Sequence, residues 1–253
     1  LMTGLIKPNE GHIFLKGVPV HETKPEQLSK YISLVYQNPE DMFIKDSIEA
    51  DIAYAMQARN AENWQQKTSA LLERFHLTEW KDCDDRLLSG GQMRRASLAI
   101  GVARRPEILL LDEPTANLDY GNSYKVMETI RNLKKDGYTI LFSTHDPDCA
   151  MRYADRVLAF SGGRLIRDGE VNKVLSGDVL STLYSINVSI REVSLGERTY
   201  KVCIPTGHDT VPSAGCVVFR GNDVLLVRFK GRIGFPKGHR EKDETMDETA
   251  LRE

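Results

Sequence analysis

Three short, continuous apolar runs, each ending in polar residues, constrain the fold of this chain more than any other feature. They lie at residues 107–112, 139–143 and 156–160, and segments long enough for helices separate them. Runs of this length without alternation are typical of strands buried on both faces of a largely parallel sheet. The sequence therefore predicts an α/β domain, and residues 32–36 form a further candidate strand.

Two segments have apolar residues at helical spacing. The first covers residues 48–75 with an interruption near Asn60, and the second covers residues 90–104. Such spacing is typical of helices with one buried face. We therefore expect a helical subdomain beside the sheet.

The beginning of the chain predicts the end of an amphipathic helix, because Leu1, Met2, Leu5 and Ile6 share one helical face. The helix breakers Gly4 and Pro8 indicate that it ends there. Leu1 is not a methionine. We expect the polypeptide to start upstream.

Composition excludes several classes of protein. The 253 residues are 41% hydrophobic, which is enough for buried cores, and the net charge of -2 gives no electrostatic reason to expect a nucleic-acid partner. No apolar run approaches the roughly 18 residues of a membrane-spanning helix, so membrane contact would require a partner protein. The four cysteines form no CxxC pair, which fits a reducing cytosol.

The sequence Leu-Ser-Gly-Gly-Gln at residues 88–92 stands at the start of a predicted helix. Two glycines let the backbone approach an anion, and the first amide N–H groups of a helix point outward with the helix dipole behind them. The segment therefore predicts a phosphate-binding end. An ordinary serine cap followed by a flexible glycine pair is the alternative.

Polar side chains follow three of the predicted strands. Asp112 and Glu113 could hold Mg²⁺ and orient water, His145 could reach a phosphate, and Gln37 could ligate a metal or water. Taken singly, each has a structural alternative: adjacent acids can cap a turn, histidines are more often structural, and Gln37-Asn38-Pro39 is more often a surface turn.

The order of these segments decides among the alternatives. Gln37 is followed by LSGGQ at residues 88–92, LLLDEP at 109–114, ANLD at 116–119 and STHD at 143–146. Over residues 1 to about 169, this order resembles the ATP-binding cassette (ABC) transporter family, with its Q-loop, signature, Walker B, D-loop and H-loop. Residues 35–41 with 51–54 resemble its energy-coupling-factor branch, which drives importers.

The resemblance implies a P-loop NTPase fold with ATP and Mg²⁺ as ligands. Asp112 would lie near Mg²⁺, and Glu113 would be the base or would orient the attacking water. His145 would contact the γ-phosphate, and Gln37 would be a metal and coupling ligand. Contacts to ATP held by a second ATPase protomer, in a homo- or heterodimer, would come from Ser89, Gly90, Gly91 and Gln92, with Asp119 at the interface. Transmembrane subunits would hold the protein peripherally at the cytoplasmic face of the membrane.

The 253 residues contain no Walker A segment GxxxxGK[ST], which cradles the β- and γ-phosphates in this family. We expect that lysine shortly before Leu1, and we expect this chain to be inactive alone. A non-catalytic nucleotide-sensing scaffold is the alternative.

The end of the chain resembles a second family. Gly234-Phe-Pro-Lys-Gly238, followed by Glu244 and Arg252-Glu253, resembles the Nudix box as far as its RE pair. The family implies an α+β fold that cleaves nucleoside diphosphate derivatives, with Glu253 and Glu244 as Mg²⁺-site residues. A solvated charged helix is the alternative, and Nudix hydrolysis as the primary activity is a further hypothesis.

These features predict three regions: an ABC ATPase domain at residues 1–178, an extension or linker at 179–210, and the start of a Nudix domain at 211–253.

Overall fold

The computed structural model describes residues 1–196 and 198–206, and beyond them the backbone of six short strands. The chain divides into two compact units: Leu1–Val157 with Gly169–Asn172, and Leu158–Asp168 with Lys173–Glu253.

The first unit is built on a three-stranded parallel sheet in the order β3-β4-β5. The strands are β3 (Ile32–Val35), β4 (Ile108–Leu111) and β5 (Thr139–Phe142). Val35 pairs with Leu111, and Leu111 pairs with Phe142. Because the strands are parallel and in register, the residues that follow them lie at one edge of the sheet. The predicted α/β class is confirmed.

Before β3 the chain forms a small hairpin and one short helix: β1 (Phe14–Leu15), β2 (Val18–Pro19) and α1 (Pro25–Leu28). Residues 2–6 form turns and bends, so the predicted helix end is wrong. Gly4 has φ +75° and its N–H donates to the Leu1 carbonyl at 3.0 Å. This left-handed turn ends any helical path at the fourth residue.

Among the larger helices of the first unit, the first three match the predicted periodicity, and the last two occupy segments between predicted strands. They are α2 (Ile48–Gln57), α3 (Trp64–Arg74), α4 (Gly90–Ala103), α5 (Tyr120–Lys135) and α6 (Pro147–Tyr153). Asn60 and Asn63 both have positive φ, which explains the break between α2 and α3. Their apolar faces and the sheet form one core, whose fully buried members include Ile52, Leu72, Ala96, Leu98, Leu109 and Val126.

The predicted strand at residues 156–160 exists as β6 (Arg156–Ser161), but it is not part of the parallel sheet. It pairs with β7 (Arg164–Glu170) in a two-stranded sheet. Leu158 and Phe160 are 45% and 60% exposed, whereas Ala159 is buried. The apolar run at residues 156–160 therefore lies in a two-stranded sheet that buries only one of its faces.

The second unit also contains α8 (Gly177–Tyr184) and a long antiparallel hairpin of β8 (Val188–Leu195) and β9 (Arg198–Pro205), and α7 (Val171–Val174) precedes them in sequence. Ser181 of α8 accepts the N–H of Val188 at 2.9 Å, which links the helix to the hairpin.

Beyond residue 206, the structure describes three antiparallel strand pairs. β10 (Ser213–Ala214) pairs with β15 (Gly238–His239), β11 (Phe219–Arg220) with β12 (Asp223–Val224), and β13 (Val227–Phe229) with β14 (Arg232–Gly234). Within the described part of the chain, no helix is both long and apolar enough to cross a membrane.

Candidate functional site

Four side chains predicted to carry nucleotide chemistry lie together at the carboxyl edge of the parallel sheet. Gln37 follows β3, Asp112 and Glu113 follow β4, and His145 follows β5. We call these residues, together with Ser143, the sheet edge. Backbone hydrogen bonds continue the strand pairing to these residues. The Asp112 N–H donates to the Val35 carbonyl and the Ser143 N–H donates to the Leu111 carbonyl, both at 3.0 Å.

Glu113 is the centre of this group. Its Oε2 accepts from Nε2 of Gln37, and its Oε1 lies beside Nδ1 of His145, each at 3.3 Å. The Glu113 side chain is 31% exposed and the His145 side chain 79%. A carboxylate contacted on both oxygens by side chains from neighbouring strands is oriented, yet still open to water.

The backbone at Glu113 is unusual, with φ +39°. A left-handed conformation costs a residue with a β-carbon about 1–2 kcal/mol, and such residues cluster at functional sites. The Glu113 N–H donates to Oγ of Ser143 at 2.8 Å, and that hydroxyl donates to Oδ1 of Asp112 at 2.7 Å. Sequence reasoning treated Ser143 only as part of the STHD motif.

A second residue that sequence reasoning missed is Arg94 of α4, which is 1% exposed. Its Nη1 donates to the Tyr36 carbonyl at 2.7 Å and its Nη2 to the Gln37 carbonyl. Burial lowers the pKa of the guanidinium, while nearby Asp112 raises it. Because arginine keeps its charge in proteins, this buried cation holds the chain in place where it leaves β3.

The far side of the segment that leaves β3 is fixed in the same way by buried Asp51 of α2. Its Oδ1 accepts the N–H groups of Ile44 and Lys45 at 2.9 and 3.1 Å. Charged side chains from two helices therefore anchor both ends of the segment that begins with Gln37.

The predicted phosphate-binding residues lie at the start of α4 and are occupied by local bonds. Ser89 Oγ accepts the Gln92 N–H at 3.4 Å, and Gln92 Oε1 accepts the Ser89 N–H at 2.7 Å. This is a reciprocal capping box. The structural alternative, a serine cap, is therefore present at this position, and it leaves the glycine backbone as the surface available to an anion.

Asp119 caps α5 beside this turn. The Asp119 carboxylate accepts two hydrogen bonds from Asn122, one from its backbone N–H at 2.8 Å and one from its side-chain amide at 2.6 Å. These bonds, the backbone one first, lower the pKa of Asp119. Asn122 in turn packs against Gly91, where an added β-carbon would stand only 2.5 Å from the Asn122 side-chain oxygen. We call residues 89–92 and 119–122 the helix starts.

The side chains at the sheet edge supply too few oxygen ligands for Mg²⁺ by themselves, so a bound phosphate and water would have to complete its coordination. Asp112 and Gln37 offer oxygen atoms, but the described residues include no group of three or more His, Cys, Asp or Glu arranged to hold a metal. Mg²⁺ bound by one or two protein groups commonly completes its shell with phosphate oxygens and water. Glu244 and Glu253, the other predicted metal-site residues, lie outside the described residues.

Comparison with known proteins identifies one family in each part of the chain. A model of the ABC transporter family matches residues 1–116, and a model of the NUDIX domain matches residues 209–253. The energy-coupling factor transporter ATP-binding protein EcfA of Methanocaldococcus jannaschii is 30% identical over 195 residues, covering 76% of this chain and 69% of that protein.

A putative ABC transporter ATP-binding protein of Nostoc is 38% identical over 181 residues, covering 70% of this chain, which spans 66% of that relative's length. Among solved structures, cbiO1 from Clostridium perfringens, part of the ABC transporter complex cbiONQ, has a TM-score of 0.63 at 28% identity. The alignment covers 72% of this chain and 74% of the cbiO1 chain.

Proposed function

The chain belongs to the ABC transporter family of ATP-binding proteins, in its energy-coupling-factor group, and from that premise we propose that it forms the ATP-hydrolysing site of a membrane importer. The observation that carries the proposal is the meeting of Gln37, Glu113 and His145 at the sheet edge. The family binds ATP with Mg²⁺ and hydrolyses it.

In the proposed mechanism, Glu113 accepts the proton of the attacking water. Gln37 and His145 hold its two carboxylate oxygens, so the base is oriented before substrate arrives. Asp112 and the side-chain oxygen of Gln37 would hold Mg²⁺, which neutralises charge on the phosphates. His145 would donate a hydrogen bond toward the γ-phosphate. Catalysis then consists of positioning and electrostatic stabilisation.

We assign the helix starts to a second protomer. Because the capping box occupies the side chains of Ser89 and Gln92, the backbone N–H groups of Gly90 and Gly91 are the donors we expect at the partner's ATP. Asp119 would lie at the same interface. The dimer would be homo- or heteromeric and would act at the cytoplasmic face of the membrane through transmembrane subunits.

The test of the ATPase uses a version of the chain that carries an added GxxxxGK[ST] segment ahead of Leu1. We expect Mg²⁺-dependent release of phosphate, and Glu113→Gln should lower kcat about 100-fold or more while ATP binding persists, because the amide cannot accept a proton. Glu107→Gln, at an exposed glutamate directly before β4, is the matched control. Equal turnover of Glu113→Gln and the unsubstituted protein would remove Glu113 from the catalytic role.

The 253-residue chain itself should hydrolyse ATP poorly, since a phosphate cradle supplies several donors worth about 3 kcal/mol each to the transition state. Turnover near that of the extended version would contradict this.

We propose further that residues 211–253 begin a Nudix pyrophosphohydrolase module, after an ATPase domain at 1–178 and an extension or linker at 179–210 that includes the β8–β9 hairpin. The support is the family match at residues 209–253. Glu253 would ligate Mg²⁺ beside a nucleoside diphosphate derivative, and Glu244 would support the loop. Mg²⁺ needs more oxygen ligands than one carboxylate supplies, so cleavage is expected only in a chain that extends past Glu253.

In such an extended chain, Glu253→Gln should abolish Mg²⁺-dependent cleavage of ADP-ribose or a similar diphosphate, whereas Asp247→Asn should not. Cleavage that survives Glu253→Gln would favour the solvated charged helix instead.

A further inference from the structure

The Ser143 hydroxyl links two parts of the sheet edge that are distant in sequence. It donates to Oδ1 of Asp112 at 2.7 Å and accepts the N–H of Glu113 at 2.8 Å. A hydroxyl has one proton and two lone pairs, so it can make both bonds at once. Ser143 therefore connects the end of β5 with the two acids that follow β4.

The bond to the Glu113 N–H is made where the backbone needs it. Glu113 has φ +39°, a left-handed conformation that residues with a β-carbon rarely adopt unless their surroundings hold them there. This conformation turns the Glu113 side chain so that one oxygen lies 3.3 Å from Gln37 Nε2 and the other 3.3 Å from His145 Nδ1.

The side chain of Ser143 can be removed without breaking the strand pairing. The backbone N–H of Ser143 donates to the Leu111 carbonyl at 3.0 Å, and this bond does not involve the hydroxyl. Ser143 is also exposed, so Ser143→Ala creates no cavity in the core. A substitution at this position thus isolates the hydroxyl link.

We propose that Ser143 is a positioning residue that holds Glu113 in its left-handed conformation and so aims the carboxylate between Gln37 and His145. The inference rests on the proposed role of Glu113 as the base.

The first measurement uses the 253-residue chain and needs no hydrolysis. Amide hydrogen exchange at Glu113, followed by NMR, should be about tenfold faster in Ser143→Ala than in the unsubstituted chain, because the N–H loses its acceptor. Ser143→Thr keeps a hydroxyl and should restore the slow rate. Thr144→Ala, which removes the neighbouring acceptor of the Asp146 N–H, is the matched control and should leave Glu113 unchanged.

The second measurement uses the version with the added GxxxxGK[ST] segment. Ser143→Ala should lower kcat about tenfold with KM for MgATP changed less than about twofold, since orientation of the base is lost and substrate binding is kept. Ser143→Thr should recover most of kcat.

Unchanged exchange at Glu113 in Ser143→Ala overturns the proposal, as does faster exchange with an unaltered kcat. If the unsubstituted extended protein hydrolyses no ATP, the proposed ATPase fails, and the exchange rates alone then decide whether Ser143 holds Glu113.

Discussion

The sheet edge and the helix starts both carry residues assigned to ATP, yet they are built in opposite ways. At the sheet edge, Glu113 contacts residues 76 and 32 positions away in the chain, Gln37 and His145. At the helix starts, Ser89 and Asp119 each bond a residue only three positions away. One region depends on the assembled sheet, and the other on local capping.

This difference separates function from stability. Local caps satisfy helix N–H groups and so contribute to folding wherever the helix forms. The exposed side chains of the sheet edge satisfy one another across loops, where individual bonds contribute little to the free energy of unfolding. Substitutions at the sheet edge should therefore change turnover more than stability, and substitutions at the helix starts should change stability first.

Among the substitutions that test this comparison, the largest effect is expected at His145. In the extended version with a GxxxxGK[ST] segment, His145→Ala should lower kcat by about 100-fold, because an oriented hydrogen-bond donor near the γ-phosphate is lost. The midpoint of urea unfolding should change little, since the side chain is 79% exposed. His76→Ala, far from the sheet edge in sequence, is the control for loss of an imidazole. A large loss of stability in His145→Ala would break the comparison.

The next effect tests where the helix starts meet. Gly91→Ala places a β-carbon 2.5 Å from Asn122, so the free energy of unfolding should fall by about 1–3 kcal/mol as α4 and α5 adjust. Gly90→Ala meets only Leu118, at 3.5 Å, and should be nearly neutral or slightly stabilising because alanine favours a helix. Chemical denaturation of both variants measures the difference. Equal free energies of unfolding for Gly91→Ala and Gly90→Ala would show that α4 and α5 can move apart without loss of stability.

The same contrast explains what could be predicted from the sequence. The strands β3, β4 and β5 and the polar residues after them were predictable because continuous apolar runs and the order of the motifs are both visible in the chain. The cap at Ser89 was foreseen as an alternative because its bonds are local.

Features that depend on tertiary partners were not predictable. The run at residues 156–160 gives no sign that β6 pairs with β7 instead of the sheet. Arg94 looks like any helical arginine until the carbonyls of Tyr36 and Gln37 are placed beside it. By contrast, β9 did have a signal, since Tyr200, Val202 and Ile204 alternate with polar or smaller residues.

Helix α6 begins shortly after His145 of the sheet edge, and its start is capped by the local bonds of Asp146. A thiol in this helix makes the free energy of unfolding depend on alkaline pH. Burial, and then the charge of Asp146, raises the pKa of the Cys149 thiol to about 11. The unfolded chain ionises this thiol near pH 8.5 and so binds fewer protons than the folded chain above that pH. Stability is therefore retained below about pH 8.5. The two pKa values correspond to roughly 3 kcal/mol, and because solvent screens part of this charge, we expect the free energy of unfolding to fall by about 2 kcal/mol as the pH rises to about 11.

Urea unfolding at several pH values, compared with Cys149→Ala, isolates this contribution, since the variant should lose the excess slope. Identical slopes would place Cys149 in a more solvated position. Alkylation should also reach Cys83, which is less buried, before Cys149.

The smallest effect concerns the capping box at Ser89. Ser89→Ala removes the acceptor of the Gln92 N–H and should lower the free energy of unfolding by about 1 kcal/mol. Ser69→Ala, which removes an exposed hydroxyl inside α3, is the matched control and should change it by less than about 0.5 kcal/mol. In the extended version, ATP hydrolysis by Ser89→Ala should fall less than it does in His145→Ala, because the glycine N–H groups remain at the start of α4. A Ser89→Ala protein that keeps full stability and loses ATP hydrolysis would reverse the comparison, since its side chain would then serve the nucleotide and not the helix.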